Sequence, residues 1–139
     1  MSAARRFAVV LPTLLVAHNV ADHLVQTDHQ AAAKVSDWGA MAGHVGGYQV
    51  TQALALASVA AVTRERLSWR RVLLGGAFSA VTHAFLDRRW PVRKALEATR
   101  SPGFADMTTP LHGIYLADQA LHHGCLLVSA LLIAGRRSS

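Results

Sequence analysis

"WGAMAGHVGGYQVTQALALASVAAVT", residues 38–63, carries no Asp, Glu, Lys or Arg. It exceeds the roughly 17–25 residues that a helix needs to cross a bilayer. A helix of a soluble bundle keeps a polar face. Here Gln and Thr are scattered and no face is charged. Gly43, Gly46 and Gly47 suit the close helix packing found in lipid. Three more charge-free stretches lie outward from this one: Phe7 to Ala21, Val72 to Leu86, and Gln119 to Gly135. The pattern predicts an all-α fold, a single-domain integral membrane bundle of four transmembrane helices. They are expected at about 7–26, 40–63, 70–88 and 111–134. An interfacial helix is expected over about 91–100, with Pro91 in its first turn.

Composition agrees. Hydrophobic residues make up 52% of the chain and charged residues 16%, against about 25% charged in a soluble domain. Two features temper this. Mean hydropathy is a modest +0.26. Arg5 and Arg6 before an apolar run could also head a cleavable signal peptide, but no small-x-small cleavage site follows. The net charge of +6 gathers at the edges of the apolar runs, as Arg5–Arg6, Arg64–Arg71, Arg88–Lys94 and Arg136–Arg137. That distribution flanks membrane spans, and no nucleic-acid recognition motif accompanies it. Counting basic residues on each side places both termini in the cytoplasm, for a multi-pass protein of the inner (plasma) membrane. Cys125 is the only cysteine, which excludes a disulfide framework and a thiolate metal cluster. It reads as a small packing residue.

The polar residues inside the apolar runs carry the chemistry. In "LVAHNVADHLVQTDHQ", residues 15–30, His18, Asp22, Gln26 and Gln30 follow at steps of four, on one helix face. His83 and Asp87 repeat the His–Asp spacing, and Asp118 and His122 reverse it. His44 opens the second helix. Because alternate helices run in opposite directions, all seven side chains should reach the same side of the membrane. Asp should lie nearer the surface and His one turn deeper. Ionisable groups in a span are costly unless paired or metal-bound. Imidazole and carboxylate together suit a divalent transition metal, zinc, iron or manganese. Seven candidate ligands allow one ion or two. His23, His29, His112 and His123 are expected at the periphery, with His112 the nearest.

At these residues the chain resembles the bacterial domain-of-unknown-function family 3307, of small polytopic membrane proteins. "HNVADHLVQTD" (18–28), Lys34, His44, "HAFLD" (83–87) and "DQALHH" (118–123) carry the resemblance, from about residue 12 to 124. More distantly, the intramembrane His and Asp residues are similar to those of membrane-bound metal-dependent hydrolases. His23 and "DRRWPVRKALEATR" (87–100) depart from the pattern. The resemblance supports a site more than a reaction.

The leading functional expectation is a metal-dependent hydrolase acting on a lipid or isoprenoid phosphate at the membrane surface. A metal-bound water would attack, and Asp22, Asp87 or Asp118 would take its proton. Gln26, Lys34, Arg88, Arg89 and Gln119 are the candidate substrate-binding residues, the basic ones holding an anionic group. Membrane lipid is the expected partner, and a homo-oligomer is compatible with the chain. Two alternatives are a metal-binding or transport relay without catalysis, and a di-iron oxidase. The oxidase lacks the Glu-x-x-His motifs of soluble di-iron bundles.

Overall fold

The computed structural model describes residues 2–135, and among these every regular element is helical. Helix α1 (Ala3–Val20) continues into a π-helical turn, Ala21–Val25. A short helix α2 (Asp28–Ala33) leads to the long α3 (Trp38–Thr63). Helix α4 (Trp69–Leu86) is followed by two short helices, α5 (Trp90–Ala98) and α6 (Pro102–Ala105), and by α7 (Gly113–Ala134).

The four long helices form a ring: α1 packs on α3 and α7, and α4 packs on α7 and α3. The C-terminal ends of α1 and α4 meet the N-terminal ends of α3 and α7, so successive long helices run antiparallel. At the far end Val10, Leu14, Leu56, Leu126, Ala130 and Ile133 form an apolar core. There Arg6 donates to the carbonyls of Ala134 and Gly135, and Arg71 donates to that of Leu132. These side chains supply donors to the orphan carbonyls that end α7. Helices α4 and α7 approach closely at Gly75, whose carbonyl accepts from Ser129 Oγ at 2.8 Å. A side chain at Gly75 would collide with Ile133.

Polarity runs inside out. Leu54, Val62, Val81 and Leu131 are 55–85% exposed, whereas His18, His44, His83, Asp22 and Asp87 are buried. Thr13, Thr51, Thr63 and Thr82 each bond a carbonyl four residues back, so their hydroxyls ask nothing of the surroundings.

Three segments are long and apolar enough to cross a membrane: Ala3–Val25, Trp38–Thr63 and Gly113–Ala134. The sequence pattern suggested four. Helix α4 falls short because Arg70 and Arg71 occupy its first turn. Its uncharged part, Val72 to Leu86, reaches only about 22 Å at the α-helical rise, against a hydrocarbon core of about 30 Å. The helix limits otherwise differ from those expected by a few residues. The steps of four also stop early. Gln26 is extended, and Gln30 belongs to α2, where it forms a capping box with Thr27. Helix α5 takes the place of the expected 91–100 segment, with Pro91 in its first turn. Arg136 and Arg137, used in the count of basic residues, lie outside the described residues.

Candidate metal centre

The site is assembled at helix ends. His18 closes α1, and the wider π turn after it carries Asp22, buried on the bundle side; single π turns recur at functional sites. Asp37 caps α3 through the Ala40 N–H at 2.6 Å, which fixes the start of the helix that presents His44. His83 lies in the last turn of α4 and Asp87 is its C-cap. Asp118 and His122 lie in the first half of α7, whose entry needs Gly113. A Cβ there would run into the Phe104 carbonyl.

Four ligand atoms converge: His44 Nε2, His83 Nε2, Asp22 Oδ1 and Asp87 Oδ2. Five of the six separations among them are 2.9, 3.1, 3.3, 3.4 and 3.6 Å. A tetrahedral ion with ligands at 2.0–2.1 Å has ligand edges of about 3.3 Å, and the sets of described residues compact enough for one ion are threes, among them His44 with His83 and Asp87, and His18 with Asp22 and His83. Hydrogen bonding alone serves this cluster poorly. Two imidazole nitrogens face each other at 2.9 Å. Asp22 Oδ1 and Asp87 Oδ2 are buried without a well-aligned hydrogen bond. Acceptors gathered this way favour a cation, and the buried Lys34 ammonium, 2.9 Å from Asp87 Oδ2, supplies one.

The other oxygens of the same carboxylates face a second pair of imidazoles. Asp22 Oδ2 is 3.7 Å from His18 Nε2, and Asp87 Oδ1 is 3.8 Å from His122 Nε2. The His18 and His122 rings stack at 5.2 Å. His122 Nδ1 donates to the Asp118 carbonyl at 2.9 Å, which leaves Nε2 as the acceptor facing Asp87. That nitrogen has no hydrogen bond. Each carboxylate thus bridges two histidines on one side and one on the other. Asp118 stands beside this second pair, with Oδ2 3.4 Å from His122 Nδ1 and Oδ1 unpartnered.

Of the expected substrate-binding residues, Lys34 is inside the cluster. It is buried, with Nζ 2.9 Å from Asp87 Oδ2 and 3.1 Å from His44 Nε2. Gln119 is tied to His18 Nε2 at 3.1 Å, and Gln26 bonds the Asp22 carbonyl. Arg89 lies at the mouth. A cavity of about 140 Å³ opens there, lined by Asp22, Gln26, Lys34, Asp87, Arg89 and Asp118 among others. Arg88 points elsewhere. It donates to the Val35 carbonyl at 2.7 Å and stacks on Trp38, which pins the α2–α3 connection to the end of α4.

Among the remaining histidines, His29 is exposed on α2 and His112 lines a neighbouring cavity with Arg89 and Tyr115. His123 meets the His18 ring edge-on at 5.4 Å. His23 accepts from or donates to Tyr115 Oη at 2.5 Å at the mouth, closer to the site than its spacing suggested. No site role was expected for Tyr48, nor for Ser79, whose small side chain suits close helix packing. Tyr48 stacks on His83 at 3.9 Å and hydrogen-bonds Ser79. Tyr48 follows His44 by four residues and Ser79 precedes His83 by four, so the helical step contained the signal.

A family described as "Protein of unknown function (DUF3307)" matches residues 10–139. The chain belongs to the DUF3307 family. All seven clustered His and Asp residues and Lys34 fall inside the matched range. No curated protein and no solved structure matches this DUF3307 chain.

Proposed function

We propose that the chain is a membrane-embedded metal-dependent hydrolase acting on the phosphate of a lipid or isoprenoid at the membrane surface. The observation that carries the reading is the convergence of buried His44, His83, Asp22 and Asp87, in which His44, His83 and Asp87 offer ligand atoms 2.9–3.3 Å apart, with both carboxylates extending to a second pair of histidines. It supports a centre in which His44, His83, Asp22 and Asp87, with His18 and His122 beside them, would hold one or two divalent ions, zinc, iron or manganese. Helix α4 contributes His83 and Asp87 to this buried cluster and packs against α3 and α7. It therefore belongs in the membrane as a fourth, short span, with both termini cytoplasmic in the plasma membrane.

When bound, such ions supply a water of lowered pKa and polarise a phosphoryl oxygen. The chain's own residues do the rest. Asp22 and Asp87 lie among the histidines on both oxygens, so Asp118, which lines the mouth cavity and has one oxygen unpartnered, would be the carboxylate placed to accept a proton. Arg89 at the mouth holds the anionic group. His83 is kept oriented by the stacked Tyr48 ring, whereas His18 Nε2 is held by Gln119 Oε1 and would have to leave it to bind an ion.

The Lys34–Asp87 pair favours one other reading, a relay in which the lysine is the only cation. Elemental analysis of detergent-purified protein separates the two, followed by phosphate release from prenyl phosphate and diacylglycerol phosphate. One or two transition ions per chain together with turnover is the expected result. Ions without turnover leave a metal-binding or transport protein. No stoichiometric metal, and none restored on dialysis against zinc or manganese, leaves the relay.

A further inference from the structure

We propose that Lys34 and a metal ion compete for the same lone pairs, and that metal loading turns the Lys34 ammonium outward into the mouth. There it joins Arg89 as a ligand for the substrate's anionic group. The proposal rests on the metal reading above and adds a coupling between metal and anion binding.

The contest is geometric. Lys34 Nζ donates to His44 Nε2 at 3.1 Å and lies 2.9 Å from Asp87 Oδ2. Both atoms belong to the His44, His83 and Asp87 set that could hold an ion. An imidazole nitrogen has one in-plane lone pair, so His44 Nε2 serves the ammonium or a metal but not both. Asp87 Oδ2 can be shared, but a divalent ion drawn to it would then sit a few ångströms from a like charge, where repulsion in a buried site is severe. The lysine is the partner able to yield, because its flexible stem lets the head move without the backbone. The way out is open. Lys34 itself lines the mouth cavity with Asp22, Asp87 and Arg89. Arg89 makes no ion pair among the described residues, which leaves its guanidinium available there.

The chain suits a direct test because it has two lysines, Lys34 and Lys94. The Lys94 side chain is 70% exposed on α5, a built-in reference. Purified full-length protein would be treated with acetic anhydride after metal stripping and after loading with zinc or manganese. Mass spectrometry would read Lys34 acetylation relative to Lys94. The expected result is at least a tenfold rise on loading, and renewed protection when inorganic phosphate is added to the loaded protein. A second measurement uses Lys34→Met, which should bind the metal at least tenfold more tightly than wild type. If wild type takes up metal while Lys34 stays as protected as before, this proposal fails and the metal reading stands. Metal affinity unchanged or weakened in a folded Lys34→Met variant overturns it as well. Exposure of Lys34 without phosphate protection removes the anion-binding role. If wild type takes up no metal at all, both readings fall together.

Discussion

His83 is held through its Nε2 and one ring face, while its Nδ1 is buried without a hydrogen bond. Its Nε2 faces Asp22, Asp87 and His44, and Tyr48 covers one ring face at 3.9 Å. The Tyr48 hydroxyl is anchored in turn by Ser79 at 2.8 Å. Tyr48→Phe keeps the stack and loses one hydrogen bond, so we predict a stability loss of about 1 kcal/mol with metal affinity nearly unchanged. Tyr48→Ala also frees the imidazole, and outer partners of metal ligands are worth about 10–100-fold in affinity. Metal titration of the two variants checks this; equal affinities for Tyr48→Ala and wild type would refute the orienting role. Removing a ligand is harsher. His83→Ala should lower metal content and thermal stability together, while His29→Ala, exposed on α2, should change neither. Loss of metal from His29→Ala would mean that the centre has been assigned to the wrong residues.

At the scale of elements, the long helices and the His–Asp pairs were legible because both are local. A charge-free run reports burial in lipid or core, and a spacing of four reports one face. What depended on distant segments was not. Lys34 reaches Asp87 only because α2 folds back beneath the mouth. Arg88 is drawn off by Trp38 and the Val35 carbonyl, which no spacing announces. Helices α2 and α6 are too short to show a period. The glycines of α7 separate packing from mere composition. A Cβ at Gly113 meets the backbone carbonyl of Phe104, whereas one at Gly124 meets nothing within 4 Å. Backbone cannot yield as a side chain can, so Gly113→Ala should cost about 1–3 kcal/mol. Gly124→Ala should be neutral or stabilising by up to about 1 kcal/mol. Thermal unfolding in detergent reads both, and equal melting temperatures would count against the α6–α7 contact.

For the whole molecule, the inside-out polarity and the bonding at the far end bear on how the chain crosses the membrane. Arg5 pairs with buried Glu65 at 2.9 Å, and Arg6 holds the carbonyls of Ala134 and Gly135. The start of α1 and the end of α7 therefore lie at the same end of the bundle. If α4 crosses with the other three, an even number of spans returns both chain ends to one side. If α4 stays out of the bilayer, three crossings leave the ends on opposite sides. We predict one side, and the sequence's eight basic residues flanking that end against six at the other favour the cytoplasm. Reporter fusions at each end, one active only in the cytoplasm and one only outside, decide the matter. Cytoplasmic signal from both ends is expected, with the protein kept in the membrane fraction through an alkaline wash. Opposite sides would strip α4 of its span. That result would overturn the four-span reading and leave His83 and Asp87 on a helix that packs against α3 and α7 without crossing the bilayer.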